Sequence, residues 1–212
     1  MKIEVKNLNK NFKFNHVLNN ISVTFESGKI YGLIGRNGSG KSVFLKILCS
    51  FYTPSSGEVL QDGYNYILHN TFPKDTRALI ESPNFVNELT GFENLKMLAK
   101  IQNKIDDQKI IETMEKVNML DAKDVEFGVY SFGTRQKLGL AQVLMEDPRF
   151  IILDEPFNGI EKETVAKLKE VLKEEKLKDK IIIITSHIRE DIDELADEVY
   201  ELENGILKKI GE

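Results

Sequence analysis

Tryptophan is absent from this chain, and cysteine occurs once, at Cys49. A single thiol closes no internal disulfide and supplies no paired zinc ligands, and its apolar neighbours in "FLKILCSFY" read as a buried thiol in a reducing compartment. Basic surplus is missing too: 29 Lys and Arg stand against 34 Asp and Glu, for a net charge of −5. No long basic block interrupts that balance, which argues against a nucleic-acid partner. Long apolar runs are lacking. The longest, such as the four isoleucines from Ile181 to Ile184, fall far short of the roughly 20 residues that cross a bilayer. The opening "MKIEVKNLNK" has no apolar signal core. These absences describe a soluble, cytoplasmic chain, and 212 residues with 41% hydrophobic content suffice for one core carrying an insertion.

What is present alternates and then stops alternating. "KIEV" and "ISVTF" place every second residue on one face, with Ile21, Val23 and Phe25 together, and Asn19-Asn20 and Ser27-Gly28 close the runs as turns. Both are expected to be antiparallel strands. "IYGLI", "RALIE", "FIILDE" and "IIIITS" are near-continuous apolar runs, the signature of central parallel strands covered on both faces. Helical spacing lies between them: Val165, Leu168 and Leu172 share one face, and Ile188, Ile192 and Leu195 another. Alternating strands and helices predict an α/β sheet. From Asn84 to Asp147 the strand signal vanishes while Leu95/Leu98 and Ile110/Met114/Val117 recur at helical spacing, which predicts a helical subdomain over 84–147 inserted into a core of 1–83 and 148–212. "VYELENGILKKI" reads as a hairpin around Asn204-Gly205.

Gly35, Arg36, Asn37, Gly38, Ser39, Gly40, Lys41 and Ser42 match G-x-x-x-x-G-K-[ST], with an apolar strand before them and a helix beginning through Val43 after them. Glycines let successive N–H groups turn onto a β-phosphate, the helix start adds positive potential, Lys41 reaches β and γ oxygens, and Ser42 offers a hydroxyl to Mg²⁺. The chain is expected to bind a nucleoside triphosphate. Downstream, "FIILDEP" ends a strand in two carboxylates, and the carboxyl ends of strands are where open α/β sheets take ligands. Asp154 suits the Mg²⁺ shell, and Glu155 suits proton abstraction from an attacking water.

This phosphate loop, then "YSFGT", then "ILDEP", then "TSH" closing the last core strand, resembles the nucleotide-binding subunits of ABC transporters along essentially the whole chain. The run "IESPNFVNELTGFENL" resembles the bacitracin- and lantibiotic-type branch. The resemblance implies a P-loop ATPase domain over 1–212 with a mostly parallel core sheet, an N-terminal antiparallel β region and the inserted helical subdomain. It implies ATP and Mg²⁺ as cofactors. It places Phe12 where an aromatic stacks on adenine, the other reading being an ordinary core phenylalanine. Glu81 takes the place of a residue that senses Mg²⁺ and the attacking water, the other reading being a plain strand-end carboxylate. His187 takes the place of a histidine that contacts the γ-phosphate.

The resemblance also implies that Ser131 and Gly133 begin a helix whose unpaired N–H groups complete the site of a second subunit, so that two chains facing head to tail enclose two ATP molecules. A Ser131 that only caps its own helix is the competing reading. The family pattern is Leu-Ser-Gly-Gly-Gln; here Tyr130, Phe132 and Thr134 replace leucine, the first glycine and glutamine, and Glu161 replaces the aspartate of the cross-interface loop. A separate membrane permease is the implied partner, holding the chain at the inner face of the membrane. The exposed segment Phe85 to Leu89 is expected either to dock it or to pack within the lobe. Export of a peptide or drug follows from the branch resembled. The alternative is the same ATPase in DNA repair or translation, but repair members insert a long coiled coil and ribosome-associated members join two cassettes, and this sequence does neither. A non-hydrolysing switch is disfavoured by Glu155 and His187.

Overall fold

A computed structural model describes residues 1–211. The first three strands in the antiparallel region are β1 (Lys2–Phe12), β2 (Asn15–Glu26) and, later in the chain, β4 (Ser56–Gln61), ordered β2-β1-β4. The main sheet contains β3 (Lys29–Ile34), β5 (Thr76–Leu79), β6 (Phe150–Leu153), β7 (Ile181–Thr185), β8 (Glu198–Glu203) and β9 (Ile206–Ile210). Its order is β5-β6-β7-β3-β8-β9, with every neighbouring pair parallel except β8 with β9. The expected mostly parallel α/β fold with an antiparallel N-terminal region is what the chain adopts.

The apolar runs work because both faces of this sheet are covered. Along β7, Ile182 and Ile184 enter one core while Ile181 and Ile183 enter the other, and β6 splits in the same way, Ile151 and Leu153 against Phe150 and Ile152. The second core also takes Ile21 and Phe25 of β2 and Phe44 and Leu45 of helix α1 (Lys41–Leu48). The first core takes Leu168 and Leu172 of α5 (Lys162–Lys176), Ile192 and Leu195 of α6 (Arg189–Leu195), and the helices between β5 and β6. Those are α2 (Gly91–Gln102), α3 (Asp107–Lys116) and α4 (Phe132–Leu144). Thr90 opens α2 with a reciprocal capping box to Glu93, and Asp106 caps α3, so each helix start satisfies N–H groups that would otherwise lack partners. Cys49 is buried in the second core, and burial pushes its thiol pKa up to about 12, leaving it unreactive.

Two local expectations are corrected. Asn19-Asn20 is not a turn: both residues lie within β2, where Asn20 takes φ 49° at an irregularity in the pairing with β1. The Asn9 side chain accepts from the Asn20 amide at 2.9 Å, so a side chain replaces a lost ladder bond. The turn between β1 and β2 is instead at Lys13 and Phe14, with Phe12 opposite Asn15. Ile188 does not share the buried face of α6. It is the residue before that helix and is exposed, while Ile192 and Leu195 are buried. The C-terminal hairpin forms as expected, Asn204 and Gly205 both at positive φ in a two-residue turn.

Candidate functional site

The site is built where β3, β6 and β7 end together. Leaving β3, the chain turns through Gly35, whose φ of 148° and whose missing Cβ, 2.3 Å from the Leu202 carbonyl oxygen, admit no side chain. Gly40, at φ 106°, caps α1 from a left-handed conformation and aims the first amides of that helix into the loop. Arg36, Asn37 and Gly38 are exposed at the loop tip, and the half-buried Ser39 has a hydroxyl with no hydrogen-bond partner. Lys41 is buried and folds back, donating from Nζ to the carbonyls of Gly35 at 2.7 Å and Arg36 at 3.3 Å. An ammonium parked on two carbonyls and an orphaned hydroxyl facing inward are what a loop shaped for phosphate oxygens looks like.

From β6 come the two carboxylates. Asp154 is buried; Ser42 Oγ donates to its Oδ2 at 2.7 Å and Thr185 Oγ1 to its Oδ1 at 2.7 Å. The hydroxyl of Ser42 beside one carboxylate forms a hard-oxygen pair suited to Mg²⁺, which commonly binds through one or two carboxylates with phosphate and water completing its shell. No cluster of three or more His, Cys, Asp or Glu that would hold a metal unaided occurs among the described residues. Glu155 adopts φ 50°, sparsely populated for a non-glycine residue. Its amide donates to Thr185 Oγ1 at 2.9 Å, and its Oε2 accepts from the His187 amide at 3.1 Å and lies 2.8 Å from His187 Nδ1. Carboxylate and imidazole therefore share one proton site.

Behind His187 the loop is tied down. Ser186 Oγ accepts from the Ile188 amide at 3.0 Å and donates to Asp191 at 3.4 Å, while Lys169 of α5 pairs with the same Asp191 at 2.9 Å. These buried partners were not among the sequence expectations; only the Ser-His step at a strand end hinted at them.

A cleft of about 480 Å³ gathers Phe12, Val17, Asn37, Gly38, Gly40, Lys41, Ser42, Val43, Asp154 and Glu155. Phe12 stands at its edge, partly exposed, with its ring edge-on to Tyr52 at 5.7 Å and Lys10 Nζ 4.7 Å from its centroid. It is not a core residue. A larger recess of about 630 Å³ shares Asn37 and Gly38 but lies between the β1–β2 turn and the β8–β9 turn and contains neither acidic strand end. Glu81, just past β5, is exposed at φ 64° and pairs with Lys46 of α1, whose ammonium pKa is raised by that bond. It is not among the residues lining the cleft.

Ser131 and Gly133 also lie outside the cleft lining. Ser131 is the exposed N-cap of α4; its Oγ accepts from the Thr134 amide at 3.2 Å and lies 2.8 Å from Thr134 Oγ1. Thr134 thus engages the serine in place of a longer glutamine. Tyr130 turns inward, its hydroxyl donating to the Ala122 carbonyl at 2.5 Å, and Arg135 braces the turn through the carbonyls of Tyr130 and Gly128. The ring of Phe132 lies sideways over Gly159, where an added Cβ would stand 2.3 Å from Phe132 Cδ1. Gly133 in turn packs on the Gly159 carbonyl oxygen, 2.2 Å from where a Cβ would be. Glu161 caps α5 by position but makes no capping hydrogen bond.

The family model described as ABC transporter matches residues 18–158. The chain is 39% identical to the ABC transporter ATP-binding protein YybJ of Bacillus subtilis (strain 168), over 97% of this chain and 94% of that one. It is 35% identical to the bacitracin transport ATP-binding protein BcrA of Enterococcus faecalis, over 97% of this chain and 67% of that one. Among solved structures, a dimeric ATP-binding cassette in a post-hydrolysis state with ADP and phosphate superposes with a TM-score of 0.87 at 19% identity, covering 99% of each chain.

Proposed function

The chain belongs to the ABC transporter family of ATP-binding ATPases, and from that premise we propose that it works as one half of an ATP-closed dimer that drives a separate membrane permease exporting a peptide or drug. The observation that carries the hydrolytic reading is the meeting of Lys41, Ser42, Asp154, Glu155 and His187 where three parallel strands end. In this reading Phe12 offers a π-face to the base, the amides and Lys41 of the loop hold phosphate oxygens, and Ser42 with Asp154 holds Mg²⁺. Bound Mg²⁺ supplies charge neutralisation on the triphosphate.

Glu155 takes a proton from water, and its contact with His187 Nδ1 holds the imidazole in place beside the phosphate oxygens. Thr185 keeps both carboxylates in place, through Asp154 Oδ1 and the Glu155 amide. Ser131 and the amides following it, exposed at the start of α4, are set to complete the site of a second copy. The resemblance of the fold to a dimeric cassette supports that arrangement.

No helix among the described residues is long and apolar enough to cross a membrane, and the likeness to transport ATP-binding proteins supports a separate permease as partner. Its expected dock at Phe85 to Leu89 is reassigned in part: Phe85 is half-buried and packs edge-on to Phe127 at 5.2 Å, while Val86 is exposed. A groove of about 500 Å³, where Phe51 and Phe72 meet Gln102 and Gln142, supports a dock for a short permease helix presenting an apolar side chain. Both phenylalanines are exposed and pack edge to face at 6.3 Å. The relation to a bacitracin transport protein supports export of a peptide or drug. Work on DNA would call for a long helical insertion, whereas α2, α3 and α4 have only 12, 10 and 13 residues.

The test is a photo-crosslinker at Phe72 in cells of the source. It should capture a polytopic membrane protein, and competition by a peptide from that protein's cytoplasmic loop should abolish the product. Crosslinks confined to proteins without membrane spans would contradict the permease assignment.

A further inference from the structure

Gln136 lies on α4 and is buried at 3% exposure. Its Nε2 donates at 3.1 Å to the backbone carbonyl of Glu155, while its Oε1 is buried with no partner. An unpartnered buried acceptor is a net cost, so for packing alone an apolar side chain of the same size would be the better occupant. What the amide supplies is one donor, aimed at the backbone of a residue at φ 50°. That conformation persists only when its surroundings hold it. Thr185 Oγ1 holds it on the amide side and Gln136 on the carbonyl side.

The same helix makes a second contact with the same segment. Gly133, roughly one turn before Gln136, packs against the carbonyl of Gly159. Helix α4 therefore grips the stretch from Glu155 to Gly159 at both ends. Its exposed start, Ser131, is the part set to meet the other subunit's triphosphate.

We propose that Gln136 is a positioning residue that transmits the seating of α4 on the partner subunit's ATP to the backbone of its own subunit's Glu155. Each site then becomes competent when the opposite nucleotide is in place. The inference rests on the two-subunit reading above. Gln136 touches no reacting group; it acts through Glu155.

The experiment compares the full-length chain with Gln136→Met and Gln136→Leu, which remove the donor and the orphaned acceptor together. Three quantities are read: the thermal midpoint, binding of trinitrophenyl-ATP, and kcat and KM for Mg-ATP hydrolysis. The expected result is a fall in kcat of about tenfold or more, with KM and trinitrophenyl-ATP affinity within about twofold, and a midpoint equal to or above that of the parent chain. Loss of the steepness of rate against ATP concentration should accompany it. A kcat within about twofold of the parent would overturn the proposal, as would a fall in kcat matched by weaker binding and a lower midpoint, which marks a packing role. Failure of the two-subunit reading shows separately: the parent chain itself would then hydrolyse ATP as a monomer with hyperbolic kinetics.

Discussion

Replacing Gly133 by alanine separates the stability of this fold from its activity. A Cβ there would stand 2.2 Å from the Gly159 carbonyl oxygen, 3.1 Å from the carbonyl carbon and 3.6 Å from Ile160 Cα. The obstacle is backbone, which cannot rotate away as a side chain can, so α4 and the Gly159 loop must part by roughly 1 Å to regain ordinary contact. Such overpacking costs about 1–3 kcal/mol, and alanine returns about 1 kcal/mol of helix propensity. The net loss is about 1 kcal/mol, a fall of about 2–4 °C in thermal midpoint for a chain of this size. Activity should fall much further, since a displacement of about 1 Å in a segment that carries a reacting group can lower the rate on the order of a hundredfold. Gly139→Ala is the internal control. It lies on the same helix, but its Cβ would meet side-chain atoms, the tip of Leu79 at 2.8 Å and Pro83 at 3.0 Å, and not the backbone of the stretch from Glu155 to Gly159. Calorimetry and a coupled ATPase assay read both variants. The reasoning is refuted if Gly133→Ala keeps a kcat within about twofold of the parent, or if Gly139→Ala loses as much activity.

Lys41→Ala should lower ATP affinity by at least about tenfold in a fluorescent-nucleotide titration, because it removes a charge-assisted donor from the loop; unchanged affinity would place the nucleotide elsewhere. Glu198 accepts from Lys29 Nζ at 2.7 Å, and that bond holds its carboxyl pKa below the ordinary 4.5. A depressed folded-state pKa contributes stability that is present above the unfolded value and is lost as pH falls through the folded one. The parent chain should therefore lose more stability than Glu198→Gln as pH falls from about 5 to 3 in urea titrations, and parallel curves would contradict the pairing.

The strands and the phosphate loop were legible because their signals are local. A run such as "IIIIT" needs only its own residues to announce a strand covered on both faces, and Asn204-Gly205 needs only its neighbours to announce a two-residue turn. The turn at Lys13 and Phe14 contains neither glycine nor asparagine, so nothing local marks it, and Asn20 carries a turn signal that the sheet absorbs as an irregularity. The β4 strand was missed because its partner β1 lies far upstream. In the candidate site, residue types and order named the cleft, yet the grip of α4 on Glu155 and Gly159 was invisible. It joins residues on separate elements through one amide and one missing Cβ, and no periodicity encodes that. The inward turn of Tyr130 and the sideways ring of Phe132 likewise depend on what the rest of the chain brings beside them.

The central claim is that a complete reaction centre needs two chains. Its most direct test is sedimentation of Glu155→Gln with saturating Mg-ATP, since this change removes the base while leaving the phosphate loop and the start of α4 intact. The account predicts a species of twice the 24.2 kDa chain mass that returns to single chains when ATP is replaced by ADP. A variant that binds Mg-ATP and sediments as a single chain at every concentration would contradict it.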